Sequence, residues 1–417
     1  MKNILLKGKM GFKKKILMGI VFVMLASIGF AAINTISIAS NSTEIPVKQW
    51  ERTYGGPANE WAASVIQTSD GGYIIAGSSE SRSGTFCYDI WIVKTDSSGN
   101  KEWDKKFGKS DDNEHAYSIV QTSDGGYIIA GTAEHRIPWE KGLKGLFERR
   151  EEKIWIIKID SSGNKEWDRK FDNGSASSIV QTSDGGYAIG GGRLIKTDSS
   201  GNEEWNRTYF GNSIIQVSDG YVVAGRSSLV KTDSLGNEVW NITYGGIESC
   251  IWETIQTSDG GYALAGLREL DNKSGEFWLM KIDSVGKEEW NKTYGSLKYE
   301  EARSVFQTSD GGYILAGVTG ADAWLVKVDS QGNEEWSETY GGPDVDKAES
   351  VIQTSDGGYV FAGLKGSKDY RGGDIWLVKV GGSMEKQPSC KEKTISGFEI
   401  IFVFIGLLVV AYLLRRK

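Results

Sequence analysis

The heptapeptide "QTSDGGY" stands at residues 67–73 and returns at 121, 181, 256, 307 and 353, with a shortened "QVSDGY" at 216. A run rich in Ala, Ser, Val and Ile leads into each copy, and a second apolar run leaves from its Tyr. The phrase therefore lies between two strands, where Ser-Asp-Gly-Gly provides the positive φ of a tight hairpin. A second phrase, "TDSSGNKEW" at 95–103, performs the same task between the next two strands and recurs up to Trp167, Trp205, Trp240, Trp290 and Trp336. Around the first copy the unit reads "ASVIQT", "GYIIAGSS", "DIWIVKTD" and "NKEWDKKFG", four short strands bounded by Gly, Asp, Asn or Ser. The repeat is thus expected to be a four-stranded antiparallel sheet.

The repeat tyrosines fall at 73, 127, 187, 221, 262, 313 and 359. Four strands recurring about every 40–50 residues mark a propeller, so seven phrases predict an all-β, seven-bladed β-propeller over 46–380. The last copy stops after its third strand, "DIWLVKV". The missing strand stands ahead of the first copy, as "PVKQWERTYGG" at 46–56, whose "WxxTYGG" matches "WNITYGG" at 240–246 and "WSETYGG" at 336–342. The N-terminal strand is therefore expected to complete the last blade and close the ring, leaving no open edge.

The "D-x-x-G-N-x-x-W" pattern resembles the tryptophan-docking repeat of pyrroloquinoline-quinone propellers, over nearly all of 46–380. The resemblance implies that a Trp from each blade packs on its neighbour. In the enzymes of that family it also implies a bound quinone, a calcium held by acidic and amide ligands, and often a vicinal Cys pair. This chain has three Cys, at 87, 250 and 390, none adjacent to another, and two His, His115 and His135. No disulfide framework, zinc site or His-based triad is readable from them.

Both ends are basic and apolar. "KGKMGFKKK" precedes "ILMGIVFVMLASIGFAA", the layout of a secretory signal or an N-terminal membrane anchor within 1–40. A linker at 381–393 leads to a hydrophobic C-terminal transmembrane or sorting helix at 394–417, "TISGFEIIFVFIGLLVVAYLLRRK". This tail resembles the archaeal carboxy-terminal sorting signal, with Ser396, Gly397 and Phe398 in place of Pro-Gly-Phe; the resemblance implies sortase processing and lipid attachment. Basic ends stay on the cytoplasmic side, so the expected location is the cell membrane with the propeller outside. Nine positive charges sit in the two ends (six Lys within 1–15, then Arg415, Arg416 and Lys417), so the remainder carries a formal −16 against −7 for the whole chain. Such a body repels phosphate backbones, and nucleic acid is not expected as a partner.

Seven residues before the repeat Gln stand Glu60, Glu114, Glu300 and Asp346, with Gly174, Tyr209 and Ser249 in the other blades. At the entry to the innermost strand these carboxylates form a candidate ligand site at one mouth of the channel. The "DSSGN" loops are too short for an EF-hand and read as turns, so no cofactor is expected and calcium is the one cation considered. Sequons at Asn41, Asn173, Asn206, Asn241, Asn272 and Asn291 are candidate glycosylation sites. The connections opposite the two invariant turns vary widely, and insertions gathered on one face of a repeat protein often mark its binding face. The longest spans 132–153, where Trp139, Leu143 and Phe147 predict a short amphipathic helix. The expected role is an exported, non-enzymatic interaction module for a cell-envelope protein or polysaccharide. The alternative is a quinone- or calcium-dependent propeller enzyme.

Overall fold

The computed structural model describes residues 45–81, 87–109, 112–137, 149–244, 249–269, 275–295, 299–367 and 373–382. The segments 1–40 and 394–417, nearly all of the linker, the sequons at Asn41 and Asn272, and Trp139, Leu143 and Phe147 lie outside the described residues.

Seven four-stranded antiparallel sheets form the blades. Blades 1 to 6 span 60–107, 113–172, 176–207, 213–243, 250–294 and 300–340, each with its strands in chain order. Blade 7 takes three strands from 345–380 and its fourth from Lys48–Tyr54, which pairs from Lys48↔Val380 to Tyr54↔Ile375. Closure by the N-terminal strand is therefore real. The ends of the 132–153 insertion belong to strands, Tyr127–Ile137 and Arg149–Ile159, which pair antiparallel; the residues expected to form the short helix lie outside the described residues.

Every residue of the repeated phrase has a structural task. In blade 1 the Thr68 and Gly72 backbones close the turn at 2.9 Å, and Gly71 takes φ 84°. Gly72 has no room for a side chain, because a Cβ would lie 2.2 Å from the Thr95 carbonyl. Asp70 accepts hydrogen bonds from Thr68 and from the Gly72 N–H, and it pairs with Lys94 at 2.9 Å. Lys94 lies in the third strand with 3% of its side chain exposed, and on its other side it meets Glu102 of the fourth strand at 2.9 Å. Lys158, Lys196, Lys281 and Lys327 repeat this double pairing. Lys231 and Lys379 keep only the Asp, since Val239 and Gln49 occupy the position of the Glu. Burial alone would raise the Asp70 carboxyl, but hydrogen bonds from Thr68, Lys94 and Gly72 outweigh it and hold it at about 2.

The apolar core is divided among the seams between blades. Ile74, Ile90 and Ile92 of blade 1 pack with Ile119, Ile129 and Trp155 of blade 2, and equivalent clusters fill each seam around to blades 7 and 1. The seam between blades 3 and 4 is the thinnest, with five buried members against twelve between blades 1 and 2. Fourth-strand tryptophans lock the seams from outside: Trp167 packs at a tilt against Tyr187 of the next blade at 5.8 Å and over Gly201. Two rings of polar contacts join the inner strands. The Ser350, Ser118, Ser178, Ser213 and Ser304 hydroxyls each accept a backbone N–H from the next blade, and Glu253 takes this place in blade 5, accepting from Val305 at 2.7 Å. At the turn end, the repeat Gln reaches back to the preceding blade's turn, as Gln121 accepts from Ser69 N–H at 3.1 Å and Gln67 from Ser355 N–H at 2.9 Å.

Candidate functional site

The two faces of the ring differ in chemistry. On the turn face, Asp96 accepts from the Ser98 and Asn100 N–H groups at 2.9 and 2.8 Å and from the Asn100 side chain at 2.9 Å. Asp160, Asp198, Asp233 and Asp329 do the same. These carboxylates are engaged by their own turns, so the loops act as turns. The Gln contacts seal the spaces between them.

The opposite face carries the side chains that differ between blades. Each first strand except that of blade 4 has a register shift two residues past its entry, at Ala62/Ser64 in blade 1 and Ile251/Glu253 in blade 5. A bulge re-aims the extra residue. The residues so placed are Ala63, Tyr117, Ser177, Trp252, Arg303 and Glu349. They meet along the ring: the Arg303 guanidinium lies 4.3 Å from the centre of the Trp252 ring, 3.0 Å from Glu301 and 3.8 Å from Glu349. Burial raises the Glu349 carboxyl, with Arg303 opposing it, and burial likewise raises Glu253. On blades 1 and 2, Trp61 packs against Tyr88 at 4.7 Å and His115 at 5.1 Å, with Tyr117 6.2 Å beyond the imidazole. Burial lowers His115 to about 4, so the ring is neutral at ordinary pH. Its Nδ1 lies 3.1 Å from Ser78 Oγ. Ser78 is fully buried, which shields this Ser–His contact from a substrate.

Over blades 3 and 4 the same face opens into a cleft of about 660 Å³ that runs outward from Ser175, at the entry to the inner strand, and Ser177 on it to Asn241 on the outer one. Elsewhere the third strand carries a tryptophan at this level: Trp91, Trp155, Trp278, Trp324 and Trp376 are all buried. Several donate their indole N–H to the fourth strand, Trp91 to Asp104 at 3.0 Å, Trp155 to Asp168 at 2.9 Å and Trp278 to Asn291 at 2.7 Å. Blades 3 and 4 have Arg193 and Ser228 instead. The missing indoles leave the cleft and the thin seam beneath it.

Glu60, Glu114, Glu300 and Asp346 are 4%, 0%, 1% and 1% exposed, buried under the crossovers that enter their blades. They are thus inside the seams, where a carboxylate fills the space that a side chain on the crossover glycine would take. A Cβ on Gly55, Gly108 or Gly341 would meet not only Glu60, Glu114 or Asp346 but also Asp374, Asp89 or Asp322 of the preceding blade, all within 3.0 Å. Burial, with Asp112 and Asp89 nearby, raises Glu114 to about 7. Among the described residues, no group of three or more His, Cys, Asp or Glu is arranged to hold a metal ion.

Of the described sequons, Asn173, Asn206 and Asn241 are exposed, whereas Asn291 is occupied by the Trp278 indole. Sequence reasoning passed over Trp252, Arg303, Phe210 and Arg226. The available signal was the position four residues before the repeat Gln, which reads Ala63, Tyr117, Ser177, Asn212, Trp252, Arg303 and Glu349 inside an otherwise uniform unit.

No family model matches the chain. The search of curated proteins likewise found no match. Solved propellers do align. YCF48 bound to a D1 peptide is 12% identical, with 83% of this chain and 100% of that chain covered and a TM-score of 0.50. Sqt1 from Chaetomium thermophilum is 10% identical, covering 80% and 100%, with a TM-score of 0.45. A protein of unknown function from Bacteroides caccae is 13% identical, covering 60% and 92%, with a TM-score of 0.39. At such identities the likeness concerns the fold, and the class established is the seven-bladed β-propeller.

Proposed function

We propose that this propeller is exported, held at the cell membrane by its terminal segments, and acts as a non-enzymatic binding module of the cell envelope. The observation that carries the reading is the asymmetry of the two faces. One face engages its polar groups in repeated turns, while the other gathers Trp61, Tyr117, Trp252, Arg303 and an open cleft around the innermost strands. Aromatic and Arg side chains in a desolvated surround are the residues that dominate recognition. The basic and apolar ends support export and anchoring. Tryptophan docking between blades supports the likeness in packing to the quinone propellers.

Full-length protein, solubilised in detergent, is titrated onto envelopes isolated from its native cells. Trp61→Ala and Tyr117→Ala are expected to weaken binding by about tenfold, whereas Ser98→Ala on the turn face leaves it unchanged. Equal binding by all variants, or substrate turnover by the purified protein, would overturn the reading.

A further inference from the structure

We infer that the cleft over blades 3 and 4 binds an acidic saccharide, an inference that rests on the binding-module reading and names the ligand of one part of its face. The cleft is the place where the blade plan omits a ring. In blade 1 the third-strand indole of Trp91 stands opposite Gly77 and donates to Asp104. In blade 4 the glycine is kept as Gly225 and the acceptor as Asn241, but Ser228 replaces the indole. The indole's space is left open with Asn241 kept at the acceptor position. In blade 3, Gly191 likewise faces the short side of a tight connection, and both glycines line the opening. At about 660 Å³ the cleft lies within the range of small-ligand sites, roughly 300–1,000 Å³.

Its chemistry selects among rings. An indole in the other blades is buried among aliphatic and aromatic side chains, but here Ser175, Ser177, Thr208 and Asn241 line the space beside Tyr209 and Val230. Hydroxyl and amide groups both donate and accept, which matches the hydroxyls of a sugar. Phe210, 72% exposed at the rim, offers a flat apolar face on which the C–H side of a pyranose stacks. Arg226 supplies the charge preference. Its guanidinium makes no ion pair among the described residues, and no Asp or Glu among them lines the cleft. Arg226 also holds φ 47°, a left-handed conformation rare outside Gly, Asn and Asp, at the tip of the blade 4 hairpin. A planar, always-charged fork in that position suits a carboxylate or sulfate on the sugar. The acidic body of the protein does not prevent this, because charges beyond about 8 Å are largely screened at physiological ionic strength.

The test is calorimetric titration of the full chain, in a detergent without a sugar headgroup, with three probes: trigalacturonate, a neutral galactose trisaccharide, and the peptide Gly-Trp-Gly. The expected order is trigalacturonate about tenfold tighter than the neutral sugar, with the peptide weakest. Arg226→Gly should remove the preference for the acidic sugar; glycine tolerates the left-handed backbone, so the fold is kept. Phe210→Ala should weaken both sugars alike. Absence of saccharide binding, an unchanged preference in Arg226→Gly, or tighter binding of Gly-Trp-Gly would each overturn the inference. Persistence of envelope binding sensitive to Trp61→Ala under those outcomes would leave the binding-module reading standing.

Discussion

The indole of Trp50 covers Gly99 so closely that a Cβ on that glycine would lie 2.8 Å from the ring. Trp50 is the fourth-strand tryptophan of blade 7, brought from the N-terminus, and Gly99 is in blade 1 at φ 75°. Ring closure is therefore made twice, by strand pairing and by this docking, with Tyr54 adding a 2.6 Å hydrogen bond from its hydroxyl to the Gly99 carbonyl.

Removing that contact is expected to weaken the whole ring. Trp50→Ala should cost about 2–4 kcal/mol, below the upper end for a core Trp because the side chain is half-buried. Gly99→Ala should cost about 1–2 kcal/mol from the left-handed backbone alone, plus displacement of the indole. Urea unfolding of both variants checks this, and Gly71→Ala separates the two effects, since a Cβ there meets nothing within 4 Å.

Acid should dismantle the turn face. Asp70, Asp124, Asp184 and Asp259 are held at about 2 by their Thr, Lys and Gly partners, against a burial that pushes the other way. The unfolded carboxyl sits near about 3.9, so the stabilisation is complete above that pH and is lost as pH falls toward 2. Melting temperature measured from pH 5 to pH 2 should drop steeply, and Asp124→Asn should lower stability at pH 5 while reducing the slope.

Glu114 should act in the opposite sense. With its carboxyl raised to about 7 by burial, the fold prefers the protonated form, so its contribution is full below about 4.5 and is lost as pH rises through 7. Wild-type stability should fall between pH 5 and pH 8, and Glu114→Gln should flatten that fall. An unchanged slope would show that the burial of this carboxyl does not govern it.

Much of the fold was legible because its parts are local. Gly71 and Gly99 announce turns, and the stray "WERTYGG" announces which blade it completes. The buried Lys94 was hidden because a lysine in an apolar strand makes sense only once Asp70 from the hairpin turn and Glu102 from the fourth strand converge on it. Glu60 and Glu114 were placed at the right end of the right strand, but whether a carboxylate there meets solvent or a neighbouring blade depends on packing across a seam. The cleft was invisible for a further reason. It arises from what blades 3 and 4 lack, a tryptophan where Arg193 and Ser228 stand, and from the side-by-side placement of two such blades.

The most direct test of the binding face is a hydrogen-exchange footprint of the full chain with and without native envelopes. Protection is predicted at 60–63, 115–117, 208–212, 225–228 and 299–303, with the seven "SDG" turns unchanged. Protection at those turns, or none at the variable face, would contradict the account.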